Sequence, residues 1–270
     1  MPHDGRGEPV RWRDFNKWEP PPTEVLLGDQ LAKLIVTPSR CILYGRGKSY
    51  KTMLGMRLAT SISNGTQWLG FDTLTGGSNV LYINAELPAD LIHERVRQMD
   101  AGEDLNLWLW NKHDLRLDDD FGFSLLADFV EKNKIKLVVI DPLYKIVSAD
   151  LREESTVRKI TDNIDRLVND YRSSVFLVAH PRKASPEQER SDLTEESLYG
   201  SGVWLWWADT VIRADRGRSD QDNRKEVKVT IDMHRLSKVD IEPVRYTLRD
   251  DDLQFVTQVI QFDRGIKQHG

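Results

Sequence analysis

Short apolar runs alternate with amphipathic stretches over the first two thirds of the chain. Between the runs, apolar residues recur at helical spacing, most clearly from Val157 to Tyr171, which is typical of helices that cover a core. The runs are bounded by turn residues or charges, as in buried parallel strands. They lie at residues 41–44, 79–84, 107–110, 136–141 and 174–180. This alternation predicts an α/β domain with a mostly parallel central sheet flanked by helices, in which ligands bind at the carboxyl ends of the strands.

The last third of the chain has a different pattern, in which apolar and polar positions alternate between turn residues. This period predicts antiparallel strands at the C-terminal end, at residues 209–214, 225–233, 243–248 and 253–257. Val203–Trp207 is strongly apolar, and we interpret it as a packing segment. Near the start, residues 25–36 carry apolar side chains at helical spacing, and this spacing predicts a helix.

Residues 1–24 differ in composition from the rest of the chain. Trp12, Phe15 and Trp18 stand between charges, and glycine and proline are frequent, so the segment is predicted to be an extended N-terminal arm with aromatic anchors. The arm either docks on a neighbouring molecule or is a tail. The chain of 270 residues is long enough to bury a core, and we expect one domain over residues 25–270.

Charge and cysteine content narrow the class of protein. The formal net charge is −5, so any contact with nucleic acid must come from a local basic patch. The single cysteine, Cys41, lies in an apolar run and forms no disulfide within the chain, which is typical of a reducing compartment. No stretch approaches the ~18 apolar residues of a membrane span, and the polar start is unlike a signal peptide. We therefore expect a cytoplasmic protein without a membrane partner.

The first apolar run leads into a glycine-bearing loop that ends in Lys51-Thr52. Counted from Gly45, the spacing fits Gly-x4-Gly-Lys-[Ser/Thr], in which backbone N–H groups and a lysine hold phosphates and a hydroxyl ligates Mg²⁺. Tyr50 stands where the pattern has its second glycine, and a competing frame on Lys48 would need its first glycine at position 42, which is isoleucine. We therefore assign the phosphate lysine to Lys51 and the Mg²⁺ hydroxyl to Thr52. The predicted nucleotide-binding residues are Gly45, Arg46, Gly47, Lys48, Ser49, Tyr50, Lys51 and Thr52.

Three polar residues follow later strands and supply the other groups that ATP hydrolysis with Mg²⁺ needs. Asp141 fits the acid that holds Mg²⁺ in P-loop ATPases; the alternative is that it caps the next helix. Glu86 is a candidate for orienting or deprotonating water, or it is a carboxylate favoured by a helix start. His180 is a candidate for a hydrogen bond to the γ-phosphate or its water, or it is an ordinary strand-end histidine.

These motifs in their order resemble the RecA-like P-loop ATPases. The resemblance rests on Gly45 to Thr52, Asn84-Ala85-Glu86, Leu137 to Asp141, and Val178-Ala179-His180. Two segments, Ile83–Glu86 and Val139–Leu143, together with the histidine, are most similar to the plasmid RepA-type hexameric replicative helicases and their phage relatives. The similarity covers residues 25–250.

The resemblance implies a hexameric ring with ATP bound between subunits and a basic finger supplied by the neighbouring subunit. In the related DnaB-type helicases this finger lies on a late strand in a Lys-x-Arg pattern. Met233-His234-Arg235 matches only the arginine. Arg235 is therefore the candidate finger, and Arg213 is the second choice.

The resemblance also implies two loops that bind single-stranded DNA, at residues 145–156 and 181–199. Their acidic residues outnumber the basic ones, which are Lys145, Arg152, Arg182, Lys183 and Arg190. We expect a helicase that acts with a partner such as a primase or a loader. Three alternatives stay open: a recombination or repair ATPase that forms filaments, a KaiC-like regulatory ATPase with protein partners, and a nucleotide-gated adaptor that does not hydrolyse ATP.

Overall fold

Helices and strands alternate through the part of the chain that the computed structural model describes, which is residues 9–19, 22–73, 77–151, 153–181, 203–217 and 225–257. The helices are α1 (Trp12–Phe15), α2 (Lys51–Asn64), α3 (Ala89–Met99), α4 (Asp120–Lys132), α5 (Glu154–Asn169) and α6 (Val203–Trp207), and a 3₁₀ turn covers Leu143–Lys145. The strands are β1 (Glu24–Gly28), β2 (Lys33–Thr37), β3 (Arg40–Tyr44), β4 (Val80–Asn84), β5 (Leu107–Asn111), β6 (Leu137–Asp141), β7 (Ser174–Ala179), β8 (Thr210–Arg216), β9 (Glu226–His234), β10 (Val244–Leu248) and β11 (Phe255–Thr257).

One large sheet has the strand order β11-β10-β9-β8-β3-β7-β6-β4-β5. The strands from β8 to β5 pair in parallel, and β9, β10 and β11 continue the sheet with antiparallel pairing. A mostly parallel sheet with antiparallel strands towards the C-terminus is thus confirmed. The period-2 pattern of the last third located these strands because one face of each is less buried than the other.

Both faces of the sheet are covered by helices, which explains the continuous apolar runs in the parallel strands. One core cluster contains buried residues of α4 and α5, such as Leu126 and Ile164, together with Ile140 of β6. The other contains residues of α2 and α3, such as Leu58, and the alternate β6 residue Val139. The strand ends between these helical layers are therefore the places where polar groups reach an open edge.

The helix predicted over residues 25–36 is wrong, because this segment forms the antiparallel hairpin β1–β2. Its turn begins at Gly28, whose φ of +105° places an added Cβ 2.0 Å from the carbonyl oxygen of Ala32. Asp29 then accepts hydrogen bonds from the backbone N–H groups of Leu31 and Ala32 at 2.6 and 2.7 Å. The turn chemistry of Gly28-Asp29 overrides the helical spacing on either side.

The two terminal segments of special interest are only partly described. α1 is a single turn in which Trp12 is 81 % exposed and Phe15 50 % exposed, and the division into an arm over residues 1–24 and a domain over 25–270 stays a prediction. α6 buries Trp204 but leaves Trp206 exposed, so the run at Val203–Trp207 packs on one side only. No helix among the described residues is long and apolar enough to cross a membrane.

Candidate nucleotide site

The register of the parallel strands brings the predicted site residues to one edge of the sheet. Asn84 lies opposite Asp141 across β4 and β6, and Tyr44 lies opposite Ala179 across β3 and β7. Because parallel strands end at the same edge, the loop after β3, Glu86 after β4, Asp141 at the end of β6 and His180 after β7 are neighbours.

The loop between β3 and α2 fits tightly against β8. A Cβ added to Gly45 would lie 2.2 Å from the carbonyl oxygen of Ala214 and 2.7 Å from the Ser49 hydroxyl, so the first glycine of the pattern is required by packing. The N-terminus of α2, at Lys51, has no side-chain cap. Its first backbone N–H groups are therefore available to an anion.

Tyr50 adopts the backbone conformation that the glycine of the pattern would adopt. Its φ is 62° and its ψ is 20°, in the left-handed region, which costs a residue other than glycine about 1–2 kcal/mol. The ring is half-buried and packs against the core cluster under α2. Burial of an aromatic ring offsets a cost of this size, so the loop keeps its shape although the glycine is absent.

The Lys51 side chain is buried within the loop. Its Nζ donates to the carbonyl oxygens of Gly45 at 2.7 Å and Arg46 at 2.8 Å. Burial lowers the pKa of Lys51 to about 8, although the negative charges of Asp141 and Glu86 act in the opposite direction. The loop thus encloses a lysine that lies close to both candidate carboxylates.

Thr52 and Asp141 form the part of the site that fits a divalent cation. The Thr52 side chain is hydrogen-bonded to Asp141, and the Tyr82 hydroxyl donates to Asp141 Oδ2 at 2.6 Å. Asp141 is only 6 % exposed, and burial raises its pKa against the effect of these hydrogen bonds. Hydroxyl and carboxylate oxygens are ligands that suit Mg²⁺, so Thr52 and Asp141 would hold it here, directly or through water.

Glu86 stands on a turn that Asn84 stabilises. Asn84 Oδ1 accepts from the backbone N–H of Leu87 at 3.0 Å, and its Nδ2 donates to the Leu87 carbonyl oxygen at 2.6 Å. The exposed Glu86 side chain then receives a hydrogen bond from the hydroxyl of Tyr144. The strand-end asparagine therefore sets where this carboxylate lies.

His180 lies on the other side of Tyr144. The two rings meet edge to face, with centroids 5.6 Å apart and an interplanar angle of 75°. Burial lowers the pKa of His180, the charge of Lys51 lowers it further, and the charge of Glu86 opposes both. The imidazole is therefore neutral at pH 7 and has one nitrogen that donates and one that accepts.

Sequence reasoning missed Tyr82 and Tyr144, which contact the two candidate carboxylates. Tyr82 lies within a buried strand, and its apolar neighbours give no sign that its hydroxyl reaches Asp141. Tyr144 carried a usable signal, because it follows Asp141 by three residues in a segment that must pass over the strand ends.

Arg235 lies at the opposite edge of the sheet from the phosphate loop of its own chain. His234 pairs with Thr210, and Thr210 pairs with Cys41 near the start of β3, so the length of β3, roughly 15 Å, separates Arg235 from the loop. Its guanidinium donates to the α6 carbonyl oxygens of Leu205 and Trp206 at 3.1 and 2.7 Å. A finger role for Arg235 therefore requires a second subunit.

Arg213, the second choice for the finger, lies at the same edge as the loop, opposite Tyr44. Its guanidinium forms ion pairs with Asp215 at 3.1 Å and Asp232 at 3.2 Å. Asp232 also accepts a hydrogen bond from Tyr44 at 2.6 Å. Two carboxylates thus hold Arg213 in place beside the strand that carries the loop.

The two predicted DNA loops are described only in part. Residues 145–151 and 153–156 form the end of the 3₁₀ turn, the chain that follows it and the start of α5, and Lys145 places its ammonium group 5.4 Å from the centre of the Tyr144 ring. The second loop, predicted at 181–199, lies outside the described residues apart from Pro181, as do Arg152, Arg182, Lys183 and Arg190.

Comparison with known proteins supports this geometry. The model of the AAA domain family AAA_25 matches residues 4–186, which include every predicted site residue except Arg235. Among solved structures, the ATPase domain of a helicase has a similar fold, with a TM-score of 0.62 and 15 % sequence identity over 81 % of this chain and 84 % of that chain. A comparison with curated proteins gave no match.

Proposed function

Because this chain belongs to the AAA domain family AAA_25, we propose that it is an Mg²⁺-dependent ATPase that forms a ring and acts as a replicative helicase on single-stranded DNA. The observation that carries the ATPase part is the meeting of Lys51, Asp141, Glu86 and His180 at one sheet edge, around an uncapped helix N-terminus. The resemblance to the RepA-type helicases and the fold shared with the solved helicase ATPase domain support the helicase part.

Each group has a separate task in phosphoryl transfer to water. The loop N–H groups and the Lys51 ammonium hold the β- and γ-phosphates, so their charge is compensated before the reaction starts. A bound Mg²⁺, held by Thr52 and Asp141, supplies charge neutralisation on the phosphate oxygens. Glu86 accepts a hydrogen bond from the attacking water and orients it, and the neutral His180 hydrogen-bonds the γ-phosphate or that water.

His180 also connects the site to the predicted second DNA loop, which begins one residue later. Loss of the γ-phosphate would remove a hydrogen-bond partner from this histidine and change the preferred position of the loop that follows it. In a ring, the copies of this loop would face one strand of DNA, and a partner such as a primase or a loader would supply priming or loading.

The test of this function is ATP turnover by the full chain, measured with and without single-stranded DNA after the mass of the assembly has been determined in the presence of ATP. We expect a ring-sized assembly, and single-stranded DNA should raise turnover while duplex DNA of equal length does not. Turnover without any response to DNA would favour the regulatory ATPase. Binding of ATP without turnover would favour the adaptor.

Glu86→Gln and Asp141→Asn should have different effects. Glu86→Gln should bind ATP normally and lose about 10²–10⁴-fold in kcat, because the base that orients water is gone. Asp141→Asn should also raise the Mg²⁺ concentration needed for ATP binding, because it removes a charged oxygen from the cation. Fluorescent nucleotide binding and turnover across a Mg²⁺ titration measure both effects.

Glu94→Gln is the matched control, because Glu94 is an exposed glutamate on α3. It should leave binding and turnover unchanged. Near-normal hydrolysis by Glu86→Gln would remove Glu86 from the catalytic residues.

A further inference from the structure

Tyr144 occupies the space between two residues of the candidate site. Its hydroxyl donates a hydrogen bond to Glu86 Oε1, and its ring packs edge to face against His180. Neither contact follows from the phosphate loop or from the strand ends alone. One side chain thus touches both the carboxylate expected to orient water and the histidine expected to contact the γ-phosphate.

The segment that carries Tyr144 is well anchored. The 3₁₀ turn Leu143–Lys145 starts directly after β6, and Leu143 is 1 % exposed. The backbone N–H of Lys145 donates to the Pro142 carbonyl oxygen at 3.2 Å, and the Lys145 ammonium lies 5.4 Å from the centre of the Tyr144 ring. Because the turn is held at both ends, the tyrosine hydroxyl has a fixed position relative to Asp141.

Glu86 has no such anchor for its side chain. Asn84 fixes the backbone turn, but the Glu86 side chain is exposed, and an exposed glutamate samples several rotamers. A carboxylate that orients water must stay within hydrogen-bond reach of it. A phenol that donates to one carboxylate oxygen selects a single rotamer, and the second oxygen remains available to water.

We propose that Tyr144 is the positioning residue for Glu86, holding its carboxylate towards the attacking water in ATP hydrolysis. This inference rests on the proposed ATPase activity. Tyr144 contacts no reacting atom and acts through Glu86. Its ring, seated against His180, keeps the hydroxyl on the side of the sheet edge where Glu86 lies.

Tyr144→Phe tests the role of the hydroxyl, because the ring and its contact with His180 are kept. We expect kcat to fall roughly 10-fold or more, the effect of losing one hydrogen bond to a charged group, with nucleotide affinity and thermal stability unchanged. Tyr171→Phe, at another half-buried tyrosine remote in sequence from the loop, is the matched control and should keep normal turnover.

The decisive measurement repeats Tyr144→Phe in the Glu86→Gln background. If the hydroxyl acts through Glu86, the double variant should turn over ATP at the rate of Glu86→Gln alone, so that the two effects do not multiply. A further fall in the double variant, or normal kcat in Tyr144→Phe, overturns the positioning role while wild-type turnover keeps the ATPase proposal intact. Absence of ATP turnover in the wild type overturns both.

Discussion

Arg235→Ala should bind ATP but hydrolyse it about 10³–10⁵-fold more slowly, if Arg235 neutralises transition-state charge at the site of the neighbouring subunit. Its own phosphate loop is a strand length away, so the effect must arise in trans. The guanidinium already donates to the carbonyl oxygens of Leu205 and Trp206 at the end of α6. Thermal unfolding must therefore be measured beside turnover, since loss of these hydrogen bonds costs stability as well.

Mixing variants separates a finger in trans from a structural role. Rings formed from Arg235→Ala and Lys51→Ala subunits contain some interfaces in which an intact Lys51 faces an intact Arg235, and these should recover activity. Each variant alone has no such interface. Lys238→Ala, at an exposed cation three residues further on, is the matched control and should behave as the wild type.

If subunit exchange is demonstrated and the mixed rings stay inactive, Arg235 has no finger role. Arg213 would then be the residue to test, because it lies at the edge of the phosphate loop. Its ion pairs with Asp215 and Asp232 mean that it would have to leave at least one carboxylate to reach a phosphate. Arg213→Ala would then lower both stability and turnover.

Lys51→Ala should lower ATP turnover by at least about 10²–10³-fold, because it removes a buried charge that stabilises the transferring phosphate. Lys48→Ala should have a much smaller effect, since Lys48 is exposed and Lys51 is enclosed by the loop carbonyl groups. Steady-state turnover and nucleotide binding of both variants decide between the two frames of the motif. Loss of turnover in Lys48→Ala with normal turnover in Lys51→Ala would show that our frame is wrong.

The pH dependence of the same reaction gives a second measure of Lys51. Burial lowers its pKa to about 8, so the amine is charged below that pH and loses its proton as the pH rises through it. Because kcat/KM reports the free enzyme, kcat/KM should fall above pH 8. Lys51→Arg should lack this alkaline limb, because a guanidinium stays charged.

Local sequence was sufficient where one short segment contains the whole cause. Each buried strand is apolar because helices cover both faces of the sheet, and each polar residue at its end marks an edge. This is why Asp141 and Glu86 could be placed beside the loop from the sequence alone. The helix predicted over residues 25–36 failed for the same kind of local reason, because the turn at Gly28-Asp29 outweighs the apolar spacing.

Tyr50 shows a limit of motif reasoning. A pattern that requires glycine predicts an altered loop when tyrosine takes its place. The tyrosine nevertheless adopts the left-handed conformation, and its ring packs on the core under α2. Whether a side chain can meet that conformational cost depends on what lies beneath it, which no local pattern records.

By itself, the sequence determined the class of the fold, the phosphate loop with its lysine, and the edge of the sheet where the chemistry is expected. Those features follow from hydrophobic period and from residues that are adjacent in the chain. Only the tertiary structure decided that Tyr82 contacts Asp141, that Tyr144 bridges Glu86 and His180, and that Arg235 lies at the far edge of its own sheet. These contacts depend on strand order and register, which are set by packing between segments that are distant in sequence.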